Sequence, residues 1–491
     1  MRLAVIGSGI SGNAIARMLA VEHCVDLFEA DQHVGGHART VSVSAYGKQV
    51  DADVAFMVLN ERTYPNLCKL FSLLSVATQD SDMSLSVRCQ RSGLEYQGSS
   101  LNGLFAQRGN LVQPAFYRMI AQILRFNREA IAFCDGSDDR KLLGEFLDDI
   151  AMGTMFREKY LLPMSAAIWS ADPACLAQFP AKFILGFFRN HGLLQIRDRP
   201  QWKTVCGRSK QYVRALMRPL SHRIHLRSPV ETVSRIKGDD GKQAVELKVE
   251  GCAPKVFDHV VFACHANQAL SILTDASLLE RQVLSGFPYQ ANRAVLHTDP
   301  SCLPSRQRAW ASWNYHIPNR SSDCVSVTYD LNRLQQLGLP GPLCLTLNPS
   351  DDIQPESVLQ EYDFTHPAFT LQSIDAQQRF SEVSGVNGVS FCGAYWGYGF
   401  HEDGLKSAIA VGKQFGLSLE DITRPVCMAN TVDATDERLD PAMDLDPAMD
   451  LDPAMDHVAS PIDSSYHQDL GNDGSNCIAE GSSSRGRSQH A

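Results

Sequence analysis

Near the start of the chain, six residues have the spacing of a diphosphate-binding loop. The loop follows a short apolar run and reads Gly7-Ser8-Gly9-Ile10-Ser11-Gly12, the pattern G-x-G-x-x-G. Gly7 permits a tight turn, Gly9 lets backbone N–H groups approach a phosphate, and Gly12 lets the following helix pack closely on the strand. Glu29 ends a second apolar run, where its carboxylate can accept hydrogen bonds from a ribose diol. Together these residues predict a dinucleotide site in a βαβ unit.

The elements that would position this loop are spread along the chain. Segments 1–63, 221–270 and 386–419 carry apolar runs that suit the strands of one nucleotide-binding domain. Between them, 64–220 is predicted to be a mostly helical substrate or cap region, and 271–385 is predicted to form a substrate-domain sheet. The sequence therefore predicts an α/β fold, with a discontinuous Rossmann-like domain and an inserted mixed α+β substrate domain.

The composition changes abruptly in the last stretch, 420–491. Leu-Asp-Pro-Ala-Met-Asp occurs three times in succession over 439–456. Proline in every repeat opposes both helix and sheet, and the acidic side chains repel one another. We expect 420–491 to be a disordered acidic tail with no catalytic role.

Overall composition narrows the class of protein. The chain has 491 residues and a formal charge of −10, but the part before the tail has 41 basic and 40 acidic residues. Such a balance argues against nucleic acid as the main partner. The sequence contains 14 cysteines and no C-x-x-C pair, which favours a reducing, cytoplasmic location. It also shows neither an apolar run long enough to span a membrane nor a metal-ligand pair.

Two further glycine-containing stretches lead to a resemblance. The first is His33-Val34-Gly35-Gly36-His37-Ala38-Arg39-Thr40, and the second is Phe391-Cys392-Gly393-Ala394-Tyr395-Trp396-Gly397-Tyr398-Gly399-Phe400-His401-Glu402-Asp403-Gly404-Leu405. With the first loop, they resemble the amine-oxidase-like FAD-dependent oxidoreductases over about residues 1–418. Within that superfamily the sequence is similar to a branch associated with cyclopropane-fatty-acid synthase.

The resemblance implies that FAD is the cofactor and that the three nucleotide-domain segments bind it. Two consecutive glycines let the main chain pass close to the diphosphate, and Arg39 would be the nearest cation for the phosphates. The stretch Val50–Phe56 is similar to one that lies beside the flavin in this branch. The residues expected to bind FAD are Gly7, Gly9, Ile10, Ser11, Gly12, Glu29, Gly35, Gly36, His37, Arg39, Thr40, Val230, Gly393, Gly404 and Leu405.

His401 and Glu402 are the titratable pair inside the third motif, and we expect them to handle protons. By the resemblance, His401 occupies the position of an aromatic cage residue in amine oxidases. A protonated imidazole there would repel a cationic amine, which disfavours a simple amine substrate.

Three functions remain open at this point. The first is an FAD-dependent oxidoreductase that transfers hydride from an apolar, fatty-acyl or other lipid substrate to flavin N5. The second is an FAD-dependent isomerase or mutase with no net electron flow. The third is a non-catalytic flavoprotein that assists a lipid methyltransferase, such as a cyclopropane-fatty-acid-synthase-like partner.

Overall fold

The first elements of the chain form the predicted βαβ unit. Strand β1 (Arg2–Ile6) leads into helix α1 (Ile10–Leu19), and strand β2 (Cys24–Phe28) pairs with β1 in parallel. The middle of β1 is completely buried because both faces of the strand are covered. Gly7 turns the chain between strand and helix at a φ of +97°, a conformation that favours glycine.

The computed structural model describes residues 1–169, 176–195, 198–238, 241–319, 326–349 and 353–427. In chain order the other strands are β3 Thr40–Ala45, β4 Lys48–Asp53, β5 Thr78–Asp80, β6 Leu85–Cys89, β7 Leu94–Gln97, β8 Lys203–Val205, β9 Ile224–His225, β10 Val230–Lys237, β11 Gln243–Val249, β12 Lys255–Phe257, β13 His259–Phe262, β14 Tyr289–His297, β15 Trp313–Ile317, β16 Ser326–Asp330, β17 Cys344–Leu347, β18 Val358–Pro367 and β19 Val389–Phe391. The other α-helices are α2 Pro65–Leu73, α3 Leu101–Leu104, α4 Pro114–Asp135, α5 Leu143–Asp149, α6 Thr154–Phe156, α7 Leu162–Trp169, α8 Ala181–Asn190, α9 Lys210–Met217, α10 Ala266–Ile272, α11 Leu278–Leu284, α12 Leu331–Gln335, α13 Leu371–Gln377, α14 Phe380–Val383 and α15 His401–Gln414.

A parallel sheet of five strands has the order β19-β13-β1-β2-β9. Its strands come from three separate stretches of the chain, because β9 and β13 lie in 221–270 and β19 lies in 386–419. Helices α1 and α15 pack over one face of the sheet, and the small antiparallel sheet β10-β11-β12 packs over the other. The predicted α/β fold with a discontinuous Rossmann-like domain is confirmed.

The second large sheet has seven strands in the order β18-β14-β17-β16-β15-β6-β7. Its pairs are antiparallel except for β6 with β15. Strands β6 and β7 come from 64–220, the region predicted to be mostly helical. A buried hydrogen bond from Ser86 Oγ to Asn314 Oδ1, 2.7 Å long, joins β6 to β15. This partner is far away in sequence, so the local pattern of β6 did not reveal its pairing.

The folded body continues past the predicted start of the tail. A 3₁₀ turn at Leu419–Thr423 buries Ile422 in the core beside α1. The carbonyl of Arg424 accepts a hydrogen bond from Arg17 Nη2 at 2.6 Å. The prediction that the tail begins at residue 420 was therefore wrong, because 420–427 contribute apolar and hydrogen-bonding groups to the body.

The described residues all belong to one unit, Met1–Met443, and the second unit, Asp444–Ala491, contains none of them. The repeats at 439–456 and the disorder predicted for the remaining tail lie outside the described residues. In the described ranges, no helix combines the length and the apolar character needed to cross a membrane.

Candidate active site

The glycine loop between β1 and α1 forms one wall of a cavity of about 690 Å³. The first N–H groups of a helix have no intrahelical partner, and in helix α1 no side-chain cap satisfies them either. A Cβ atom at Gly9 would meet no protein atom within 4 Å, so the loop is open toward the cavity at this point. At Gly12, a Cβ atom would lie 1.8 Å from the carbonyl oxygen of Gly7. Gly12 is therefore required for packing rather than for lining the cavity.

Glu29 lies at the end of β2 and lines the same cavity. Its Oε2 accepts hydrogen bonds from the backbone N–H of Ser8 at 2.8 Å and from Ser8 Oγ at 2.6 Å, and its Oε1 accepts from the N–H of Asp31 at 2.9 Å. The carboxylate is thus held against the glycine loop, as a ribose-binding acid requires.

The third motif contacts the loop through helix α15. Ser11 Oγ donates to the carbonyl of Gly404 at 2.9 Å. A Cβ atom at Gly404 would lie 2.8 Å from this Ser11 Oγ. Glycine at 404 therefore lets the first turns of α1 and α15 meet. Gly393 N–H donates to Ser407 Oγ at 2.8 Å, which fixes the turn before α15.

The structure brings most of the predicted cofactor residues to the cavity. Those that line it are Gly7, Gly9, Ile10, Ser11, Glu29, Gly36, His37, Val230 and Gly393. The predicted residues outside its lining are Gly12, Gly35, Arg39, Thr40, Gly404 and Leu405.

Arg39 differs from its expected role as a phosphate cation. Its Nη1 pairs with Asp31 Oδ2 at 2.9 Å, outside the cavity. Thr40 is also outside, and its hydroxyl donates to Asp53 Oδ1 at 2.6 Å. The positive character beside the glycine loop therefore comes from the free N–H groups of α1 rather than from an arginine.

His401 is the first residue of α15 and lines the cavity. Its ring stacks on Phe56, with centroids 3.8 Å apart, and its buried Nε2 has no hydrogen-bond partner among the described residues. Burial, with a smaller effect of nearby His37, lowers the pKa of His401 to about 3. The imidazole is therefore neutral near pH 7, and the expectation that its charge repels amines was wrong.

Glu402 faces away from the cavity and holds another helix. Its carboxylate accepts hydrogen bonds from Asn66 Nδ2 at 2.6 Å and from the N–H of Leu67 at 3.0 Å, in the first turn of α2. The residue is buried, and it does not line the cavity. The geometry gives Glu402 a structural role, because both carboxylate oxygens are already used to satisfy α2, and this corrects its expected role in proton handling.

Three further histidines accompany the predicted site, and two of them were missed from the sequence. His37 lies 5.5 Å from His366 and 6.3 Å from His265, measured between ring centroids. Burial is the main cause that lowers the pKa of His366 to about 3 and that of His265 to about 4. His265 follows β13 and so lies at the same sheet edge as the glycine loop, a signal that could have identified it. No local signal marks His366.

Away from the nucleotide-facing end, the cavity wall is apolar and aromatic. Met164, Ile168, Trp169, Trp313, Tyr329, Leu345 and Leu347 are among the residues that line it. Within the described part of the chain, the lysine, arginine, aspartate and glutamate side chains that line it are Glu29 and Arg199. Most of the surface that a substrate deep in this cavity would meet is therefore apolar.

Comparison with known proteins assigns the chain to a family. Residues 10–329 match the flavin-containing amine oxidoreductases. The chain belongs to this family. No curated protein sequence matches the chain. As a flavin-containing amine oxidoreductase, it is an FAD-dependent oxidoreductase, and the cofactor expected from its motifs is confirmed.

The residues of the cavity fit FAD. The open face at Gly9, the uncapped start of α1 and the carboxylate of Glu29 are the groups that a diphosphate and a ribose require. The buried Nε2 atoms of His37 and His401 have no partner among the described residues, and both side chains line the same cavity. These residues would hold the cofactor.

Solved structures share the fold at low sequence identity. A putative protoporphyrinogen oxidase from Exiguobacterium sp. 255-15 is 17% identical, with a TM-score of 0.58 over 84% of this chain and 98% of that one. Cyclohexylamine oxidase from Brevibacterium oxydans IH-35A is 16% identical, with a TM-score of 0.60 over 84% and 99%. A fatty acid isomerase from P. acnes that produces CLA is 14% identical, with a TM-score of 0.60 over 84% and 98%. At these identities the likeness concerns the fold alone.

Proposed function

We propose that this FAD-dependent oxidoreductase removes hydrogen from an apolar, fatty-acyl substrate. The observation that carries the proposal is the apolar and aromatic wall of the cavity beyond its nucleotide-facing end. Each methylene group buried there contributes about 0.8 kcal/mol to binding, so an acyl chain needs no charge pair along its length.

An amine substrate would need different surroundings. A buried ammonium group is costly unless it is paired or lies on aromatic faces. Glu29 is held by Ser8 at the nucleotide-facing end, so it is not available to an ammonium group deep in the cavity. The aromatic rings leave cation–π binding as the competing possibility, which the experiment below tests directly.

His401 is the residue we assign to proton handling. When bound, FAD supplies the two-electron acceptor for a hydride from a substrate carbon. The imidazole of His401, which stacks on Phe56 at the cavity wall, can relay the accompanying proton, and with a pKa of about 3 it passes the proton on rather than retaining it. Loss of one hydride and one proton from adjacent carbons would leave a double bond in the acyl chain.

Anaerobic mixing of the FAD-loaded enzyme with two substrate panels tests the proposal. We expect saturated or unsaturated fatty-acyl compounds to bleach the flavin absorbance, and primary and secondary amines to leave it unchanged. Bleaching by amines alone would refute the substrate class. We also expect His401→Gln to slow bleaching by acyl compounds, whereas the exposed His222→Gln serves as the matched control.

The same measurement separates the isomerase alternative. An isomerase would bleach the flavin transiently and return it to the oxidised state while the double bond moves. The fold likeness to a fatty acid isomerase supports keeping this alternative. A cyclopropane-fatty-acid-synthase-like partner stays a prediction.

A further inference from the structure

Arg199 lies where the apolar part of the cavity meets solvent. It lines the cavity and is itself exposed. Its Nε donates to the carbonyl of Gln195 at 2.8 Å, and among the described residues it forms no ion pair with a carboxylate. The other charged lining residue, Glu29, is held at the nucleotide-facing end by Ser8. Among the described residues, Arg199 is thus the one lysine or arginine that lines the cavity, and its exposure places it toward solvent.

Tyr160 also lines the cavity, and the charge of Arg199 partly opposes the rise in the pKa of Tyr160 that burial causes. Arg62 Nη2 donates to the carbonyl of Asp198 at 3.1 Å, and this hydrogen bond fixes the backbone next to Arg199. A guanidinium and a phenol that line one cavity form a donor set suited to an anion.

A row of cavity-lining aromatic rings runs from Trp202, which follows Arg199 closely in the chain, to the residue before His401. Trp202 and His191 stack with centroids 6.1 Å apart, and His191 stacks on Phe187 at 3.7 Å. Phe187 in turn stacks at 5.0 Å on Phe400, the residue before His401. A chain lying along these rings would have one end at the opening and its interior beside His401.

We propose that Arg199 and Tyr160 form a subsite for the anionic head group of an acyl substrate. The head group is a carboxylate or a phosphate, because the planar guanidinium offers paired N–H donors that match both. Its acyl chain follows the aromatic row inward. This inference rests on the proposed function and narrows it to acyl compounds with a negatively charged end.

The test compares three ligands of one chain length on the FAD-loaded enzyme: laurate, dodecyl phosphate and dodecanol. Dissociation constants are measured by isothermal titration for the wild type, Arg199→Gln and the control Arg128→Gln. Arg128 is exposed and outside the cavity. We expect Arg199→Gln to weaken binding of an anionic ligand roughly 10- to 100-fold, the range for a lost hydrogen bond to a charged group, and to leave dodecanol unchanged. Whichever anion binds more tightly to the wild type identifies the head group as carboxylate or phosphate.

Two results would overturn the inference, and they are distinguishable. If all three ligands bind and Arg199→Gln weakens none of them selectively, the head-group subsite is refuted while the acyl proposal stands. If none of the ligands binds the wild type, the proposed function fails and the subsite fails with it. Tyr160→Phe provides a second variant, which should weaken the anions less than Arg199→Gln does.

Discussion

Replacing Glu402 with alanine removes the carboxylate that holds the first turn of α2, and we expect the protein to unfold at a clearly lower urea concentration. Tyr64, which precedes α2, provides no side-chain cap, so the first N–H groups of the helix depend on this carboxylate. It accepts from the backbone N–H of Asn66 at 3.2 Å, from Asn66 Nδ2 at 2.6 Å and from the N–H of Leu67 at 3.0 Å.

The magnitude follows from these three contacts. A hydrogen bond to a charged group contributes about 1.5–3 kcal/mol, and the contributions of neighbouring bonds are not additive. Leaving buried donors unpaired in Glu402→Ala should therefore lower the free energy of unfolding by about 3–5 kcal/mol. Glu402→Gln keeps one acceptor oxygen and should lower it by about 1–2 kcal/mol.

Urea denaturation followed by circular dichroism measures both variants. Lys406→Ala is the control. Lys406 Nζ lies 3.8 Å from Glu402 Oε1, and the Lys406 side chain is 55% exposed. Such ion pairs contribute at most about 1 kcal/mol to the free energy of unfolding. A wild-type midpoint for Glu402→Ala would refute the structural role. A stable Glu402→Gln variant whose flavin reduction by acyl compounds is strongly slowed would instead show that the carboxylate takes part in catalysis.

Three further predictions concern the end of the folded body, the ribose-binding acid and the cavity histidines. Ending the chain after residue 427 should leave the urea midpoint unchanged. Ending it after residue 419 should lower the free energy of unfolding by about 2–4 kcal/mol, because the buried Ile422 is lost. Equal urea midpoints for the two truncated proteins would contradict this prediction. Glu29→Ala should weaken FAD binding roughly 10- to 100-fold in equilibrium dialysis, because the ribose hydroxyls lose their acceptor. Unchanged affinity for FAD would show that the carboxylate only holds the glycine loop in place. Burial lowers the pKa of His366 from 6.5 to about 3 and that of His265 to about 4, so their neutral forms stabilise the fold above pH 6.5 and this stability is lost as pH falls toward the folded pKa values. Between pH 7 and pH 5 each should contribute a loss of about 2 kcal/mol in the FAD-free protein, and His366→Gln should flatten that pH dependence; an equally steep profile would refute the burial of His366.

The nucleotide-binding half of the site was largely predictable from sequence. Gly7, Gly9 and Glu29 belong to one short βαβ unit, whose geometry is set by local turn and strand preferences. The third motif was also recognisable, but the orientation of its residues was not. Consecutive residues on a helix point in different directions, so His401 lines the cavity while Glu402 turns toward α2.

The substrate half could not be assembled from sequence. Arg199, Tyr160 and His366 lie on three distant stretches, and nothing in their local patterns distinguishes them from other exposed or buried residues of the same type. Their proximity to the cavity depends on how the seven-stranded sheet and the helices before it pack against the nucleotide domain.

By itself, then, the amino-acid sequence determined the dinucleotide loop, the acid that follows β2 and the α/β class, because each depends on contacts between residues close together in the chain. Tertiary structure alone decided that Arg39 pairs with Asp31 outside the cavity, that 420–427 pack on the body, and that the histidines of the cavity are neutral. The physical reason is the same in each case. Burial, the pairing of charges and the pKa of a side chain are set by neighbours from other parts of the chain, and only the packed fold brings those neighbours together.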